Sequence, residues 1–141
     1  MHLFVYGTLL SGIPSSMSKF LSRRATLVGA ATAPGRLFDL GMYPGYVADG
    51  VGEVLGELYH IYPEGEETTW EMLDAYESVT GEAEDEYRRD EIRVRTTEGE
   101  EYAADTYVFT GEHQQKAVIP NGDYRAFYAG SKEHQRFVNG G

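Results

Sequence analysis

The sequence HLFVYGTLL, residues 2–10, joins a run of β-forming side chains to an abrupt stop at Gly7. We predict a strand over residues 2–6, followed by a loop and a short amphipathic helix over residues 14–22. A chain that leaves a strand through a glycine and heads for a helix can point successive backbone N–H groups at an anion. The Thr8 hydroxyl adds one more donor. Tyr6, Gly7, Thr8 and Leu9 therefore form either a site for a small carboxylate or phosphate, or an ordinary turn that ends the strand.

Alternating polar and apolar residues predict the remaining strands. These are residues 25–40 with a break at Pro34-Gly35, and residues 46–48, 52–62, 87–96 and 101–109. Helical spacing predicts helices over residues 64–77, before a stop at Gly81, and over residues 123–138, entered through Asn121-Gly122-Asp123. The short connections at Asp49-Gly50 and at residues 97–100 favour antiparallel pairing of their neighbours. We expect one α+β domain over residues 1–141, a small mixed, mostly antiparallel curved sheet or barrel with two to three flanking helices.

The composition excludes several classes of partner and site. Asp and Glu number 23 against 12 Lys and Arg, and the net charge of -11 opposes binding to nucleic acid or to an anionic membrane. The sequence has no cysteine and its four histidines are scattered, so we expect no metal ion. We recognise no signal peptide or membrane span, so the expected location is cytoplasmic. The acidity fits either a high-salt habitat or an ordinary acidic surface.

Glu77 is the candidate for acid–base chemistry. At 100° per residue it lies about 20° from Trp70 and about 40° from Leu73, on the apolar face of the predicted helix. Burial there disfavours ionisation and can raise the pKa of a glutamate toward ~6 to 7, where proton exchange at neutral pH is efficient. The alternative is a structural role, with Glu77 turned to solvent or paired with Arg88 or Arg89.

Other residues are candidates for the walls of a site. Tyr43, Tyr107 and Tyr128 each offer an apolar ring with a hydroxyl. Asp74, on the same helix as Glu77, is expected to bond backbone groups near the site. The acidic residues 82–86 are either a solvated loop or a mobile lid.

Six stretches together resemble the γ-glutamylcyclotransferase family, in the branch of short AIG2-like and γ-glutamylamine cyclotransferase-like proteins. They occur in the family's order and cover nearly the whole chain. The stretches are FVYGTLLSG (4–12), GRLFDLGMYPG (35–45), GELYHIYP (56–63), LDAYES (73–78), YRRDEIRV (87–94) and IPNGDYRAF (119–127).

This resemblance implies a small mixed barrel with outer helices and a single γ-glutamyl substrate. It implies that residues 6–9 hold the substrate's α-carboxylate and that Glu77 is the acid/base, with no cofactor or metal. The products would be 5-oxoproline and a free amine or amino acid. The leaving amine stays open, although the acidic residues 81–86 and the loop over residues 35–45 suggest a cationic one.

The sequence is also compatible with two other functions. A related γ-glutamyl acyltransferase would pass the acyl group to another amine, and a non-catalytic domain would bind a carboxylate-bearing metabolite. The expected assembly is a monomer or a weak homodimer.

Overall fold

The computed structural model describes residues 1–140. The strands are β1 (His2–Val5), β2 (Ala25–Pro34), β3 (Arg36–Asp39), β4 (Pro44–Val47), β5 (Glu53–Ile61), β6 (Tyr87–Thr96), β7 (Glu101–Phe109) and β8 (Ala117–Val118). The helices are α1 (Ser16–Arg24), α2 (Glu66–Tyr76), α3 (Tyr124–Ala129) and α4 (Lys132–Gly140), with a 3-10 turn at Pro120–Gly122.

Five of the strands close into a barrel. The order β1-β5-β2-β6-β7 returns to its start because β1 also pairs with β7. The pairing of β1 with β7, at Leu3 and Asp105, is parallel, and the other barrel pairings are antiparallel. Strands β4, β3 and β8 extend the sheet outward from β7. This architecture confirms the predicted α+β class and the small mixed barrel.

Strand β1 is covered on both faces, which fits its continuous apolar sequence. Leu3, Phe4 and Val5 are all buried in the core. Gly56 on β5 is required beside them, because a Cβ atom there would lie 2.2 Å from the carbonyl oxygen of Val5. Helix α2 adds Leu73 to the same core, at 0% exposure.

The predicted antiparallel pairing across Asp49-Gly50 is wrong. Strand β4 pairs with β3 in an antiparallel hairpin and with β7 in parallel, and not with β5. Both edges of β5 are already occupied by β1 and β2. Asp49 instead forms an ion pair of 2.6 Å with Arg36. The β3–β4 hairpin, which lies between β2 and β5 in sequence, therefore joins the sheet at β7.

The predicted helix over residues 123–138 is two helices. Asp123 caps α3, with the N–H of Ala126 donating to its carboxylate at 3.2 Å, as the sequence predicted. Gly130 ends α3, and Ser131 accepts the N–H of His134 at 3.3 Å at the start of α4. The first predicted helix is also shifted, because Ser15 caps α1 and leaves Pro14 outside it.

Candidate active site

A cavity of about 280 Å³ lies between the end of β1, the C-terminal end of α2, β4 and α4. Seven of the residues that the sequence predicted for the site line this cavity, namely Tyr6, Gly7, Thr8, Leu9, Tyr43, Glu77 and Tyr107. They come from elements that are distant in sequence, and the barrel brings them to one place.

The loop that follows β1 carries a row of unused backbone donors. Within residues 1–140, the N–H groups of Gly7, Thr8 and Leu9 donate to no protein oxygen, although all three residues are buried. Buried N–H groups almost always have a partner, so such a row indicates a place for a ligand's oxygen atoms or for water. Gly7 is required here because a Cβ atom would lie 2.6 Å from Cγ of Pro44.

Side-chain hydrogen bonds hold this loop in place. The Ser15 hydroxyl donates to the carbonyl of Thr8 at 2.6 Å, and Ser18 donates to the carbonyl of Leu10 at 3.0 Å. The hydroxyls of Thr8 and Tyr76 share a hydrogen bond of 2.9 Å. Helix α1 and helix α2 therefore both hold the loop.

Glu57 is a supporting residue that sequence reasoning missed. Its carboxylate, buried on β5, accepts the N–H of Ser11 at 2.8 Å and the Ser11 hydroxyl at 2.6 Å. Arg125 from α3 donates to the same carboxylate at 2.9 Å. The sequence feature that could have identified Glu57 is its charge within the apolar run of residues 54–61.

Glu77 stands at the end of α2, where the chain turns sharply. The N–H of Val79 donates to the carbonyl of Asp74 at 2.8 Å, and that of Ser78 donates to the carbonyl of Ala75 at 3.1 Å. These two hydrogen bonds require one residue in the left-handed conformation, and Ser78 adopts it with φ of 57°. The helix stop is thus Ser78 and not Gly81, at a cost of about 1 kcal/mol in backbone strain.

The carboxyl group of Glu77 lies in the cavity wall without a charged partner. Within residues 1–140 it forms no ion pair, and Arg88 and Arg89 bind other carboxylates. Burial raises the pKa of Glu77 from 4.5 to about 8, and the nearby acidic side chain of Glu86 adds to the rise. At neutral pH the group is therefore mostly protonated and close to the pKa at which proton exchange is efficient.

Asp74 holds Tyr107, another residue that lines the cavity. It accepts the hydroxyl of Tyr107 at 2.7 Å and lies 3.5 Å from the guanidinium of Arg89. Arg89 in turn stacks over the ring of Trp70 at 4.4 Å. The expectation that Asp74 bonds backbone groups is wrong, because the nearest donors are side chains from β6 and β7.

Aromatic rings form the remaining side of the cavity. The Tyr43 and Phe137 rings lie 5.2 Å apart, and Tyr87 donates its hydroxyl to the carbonyl of Pro44 at 2.7 Å. The Tyr43 hydroxyl donates to Glu86 at 2.7 Å. Sequence reasoning did not identify Tyr87 or Phe137, and eleven tyrosines in the sequence gave no means of choosing among them.

A model of the family described as gamma-glutamyl cyclotransferase, AIG2-like, matches residues 3–126. The chain belongs to this family. Residues 1–140 of this chain contain no group of three or more His, Cys, Asp or Glu side chains arranged to hold a metal ion. None of the helices in the same part of the chain has the length and apolar character to cross a lipid bilayer.

Solved structures similar to this family member share its fold. An uncharacterized protein from Pyrococcus horikoshii is 26% identical, with a TM-score of 0.65 over 92% of this chain and 93% of that one. The protein ytfP from Escherichia coli is 32% identical, with a TM-score of 0.57 over 88% and 96% of the two chains. An AIG2-like protein from Mus musculus is 21% identical, with a TM-score of 0.62 over 81% and 80%. No curated protein is significantly similar in sequence.

Two other predictions about this family member concern residues near the cavity. Tyr128 is not among the lining residues, and its ring packs 6.0 Å from that of Tyr124. Of the acidic residues 82–86, only Glu86 lines the cavity. Asp85 closes the segment on itself by accepting the N–H and the hydroxyl of Thr80, each at 2.7 Å.

Proposed function

We propose that the protein is a γ-glutamyl cyclotransferase that converts a γ-glutamyl amine or γ-glutamyl amino acid into 5-oxoproline and a free amine. The observation that supports this most is the meeting of three unpaired backbone N–H groups with a buried carboxyl group in one cavity. The N–H groups of Gly7, Thr8 and Leu9 suit the α-carboxylate of a glutamyl group. Glu77 then faces the reacting end of the same substrate.

The reaction needs one group that can both accept a proton and donate one. The substrate's α-ammonium must lose a proton before its nitrogen attacks the γ-carbonyl carbon, which forms the ring C–N bond. When the amide C–N bond breaks, the leaving nitrogen must gain a proton. The ionised fraction of Glu77 takes the first proton from the α-ammonium and returns it to the leaving nitrogen. The second proton of the attacking nitrogen passes to solvent as the ring forms.

The cavity contributes proximity as well as proton transfer. Holding the α-carboxylate at the loop keeps the glutamyl chain curled, so that its amine lies near its own carbonyl carbon. A protonated Glu77 is also a poor competitor for the α-carboxylate at the loop, because it carries no charge. The raised pKa of Glu77 therefore serves binding and catalysis together.

The decisive experiment measures 5-oxoproline by mass spectrometry with a panel of γ-glutamyl amines and γ-glutamyl amino acids. We expect product from the wild-type protein and a loss of at least ~10²-fold in kcat for Glu77→Gln. Glu71→Gln is the matched control, because Glu71 is exposed on the same helix. Full activity of Glu77→Gln would contradict the proposal.

The same panel separates the alternatives. Transfer of the glutamyl group to an added amine, without 5-oxoproline, would indicate the acyltransferase. Thermal stabilisation by the ligands without any product would indicate a binding domain.

A further inference from the structure

We propose that Glu86, together with Tyr43, is the specificity-determining pair for the leaving group, and that it selects amines carrying a second positive charge over those carrying a carboxylate. This inference rests on the proposed function. It concerns the part of the cavity that the glutamyl group does not occupy.

Glu86 is held in the cavity wall by contacts from two sides. The Tyr43 hydroxyl donates to its carboxylate at 2.7 Å, and burial together with this bond raises the pKa of Tyr43 to about 12. The N–H and the hydroxyl of Thr110 donate to the carbonyl of Glu86 at 2.9 Å and 3.1 Å. The Thr110 contacts hold the backbone of Glu86, and the Tyr43 hydroxyl binds its exposed side chain.

Glu86 lines the same cavity as the carboxylate loop but comes from a different part of the chain. Tyr76, which bonds Thr8, is the residue before Glu77, so Glu77 stands beside the loop. Tyr43 comes from the loop before β4 and Glu86 from the segment before β6, and Phe137 of α4 packs on Tyr43. In the orientation we propose, a substrate with its α-carboxylate at the loop and its γ-carbon at Glu77 extends its leaving amine toward Glu86, the other acidic residue of the cavity wall.

The chemistry of this wall suits a cation. Two aromatic rings and a carboxylate are the groups that bind ammonium ions. No Lys, Arg or His of residues 1–140 lines the cavity, so nothing there would pair with a carboxylate on the leaving group. The net charge of -11 adds a long-range field of the same sign.

A leaving amino acid would place its carboxylate against this acidic wall. At a separation of a few ångströms in this partly exposed site, Coulomb repulsion lowers kcat/KM for a carboxylate about tenfold. Attraction raises kcat/KM for an ammonium about tenfold. The pair Glu86 and Tyr43 thus separates the two substrate classes by charge.

Three γ-glutamyl amides of equal length test the inference. Their leaving amines are propylamine, 1,2-diaminoethane and β-alanine, which end in a methyl, an ammonium and a carboxylate. We expect kcat/KM to fall in the order ammonium, methyl, carboxylate. Glu86→Gln is expected to reduce the ammonium-to-carboxylate ratio by at least tenfold. The ratio cancels any change that the substitution makes to Glu77.

Glu84→Gln is the matched control, since Glu84 is an exposed acid of the same segment outside the cavity. It changes the net charge equally and is expected to leave the ratio unchanged. A ratio that Glu86→Gln does not alter, or one that Glu84→Gln alters equally, would overturn the inference.

Binding measurements keep the test separate from the proposed function. Calorimetric affinities of the three amides for Glu77→Gln report the charge preference without turnover. If wild-type protein forms no 5-oxoproline from any amide, the proposed function fails, and these affinities still decide the preference. Equal affinities for the ammonium and carboxylate amides would refute the specificity role of Glu86.

Discussion

The buried carboxyl group of Glu77 makes the stability of the protein depend on pH in a way that a single substitution removes. Burial raises the pKa of Glu77 from 4.5 to about 8, so the folded state binds the proton more tightly than the unfolded chain. The stabilisation from this proton is complete below pH 4.5 and is lost as the pH rises through about 8.

The magnitude follows from these two pKa values. Each pKa unit corresponds to about 1.36 kcal/mol, so the full effect is about 5 kcal/mol. Between pH 6 and pH 9 the wild-type protein loses about 2–3 kcal/mol of this contribution. Glu77→Gln keeps a neutral side chain of the same shape at every pH, so its stability does not fall for this reason between the two pH values.

Urea unfolding at pH 6 and at pH 9 measures the effect. We expect the stability of Glu77→Gln relative to wild type to increase by about 2–3 kcal/mol between the two values. Titrating groups that do not interact with Glu77 contribute equally in both proteins, so their contributions cancel in the difference. Glu71→Gln is the control, because Glu71 is exposed on the same helix. A difference that stays constant within ~0.5 kcal/mol would refute the assignment of Glu77 as a buried acid.

Three further predictions concern the same cavity. Gly7→Ala should lower the free energy of unfolding by about 1–3 kcal/mol, since its Cβ atom meets the ring of Pro44, and unchanged urea stability would contradict this. Ser78→Gly should raise stability by about 0.5–1 kcal/mol, because glycine relieves the left-handed strain, and a lower melting temperature would contradict the strain. The pH profile of kcat/KM should show a limb near the Glu77 pKa of about 8 that moves to lower pH in Glu86→Gln, because Glu86 helps raise that pKa; a fixed limb would show that the two groups do not interact.

The parts of the fold that local periodicity controls were predicted well. The alternating residues 87–96 and 101–109 form the predicted hairpin, with Arg95 opposite Glu101. The helical phase that placed Glu77 with Leu73 offered an inward-facing side chain as one of two alternatives, and Glu77 lines the cavity. Both patterns depend only on neighbouring residues, so they can be seen in the sequence without a structure.

The failures lie where a contact between distant elements decides the outcome. The pairing of β4 depends on which edges of β5 are free, and spacing along the chain does not indicate this. The stop of α2 at Ser78 breaks the preference for glycine, and such strain persists because surrounding contacts hold it. Glu57 was missed because its partners Ser11 and Arg125 are 46 and 68 residues away.

The sequence by itself determined the class of fold, the acid at the end of the helix and the glycine loop, because each is written in local spacing and composition. Only the tertiary structure decided that these features share one cavity and that Glu86, Tyr87 and Phe137 complete it. Closure of the barrel brings Tyr6 to Tyr107, whose carbonyl accepts its hydroxyl at 2.7 Å across 101 residues. Such contacts depend on packing the whole core at once, and the same packing desolvates Glu77 and raises its pKa.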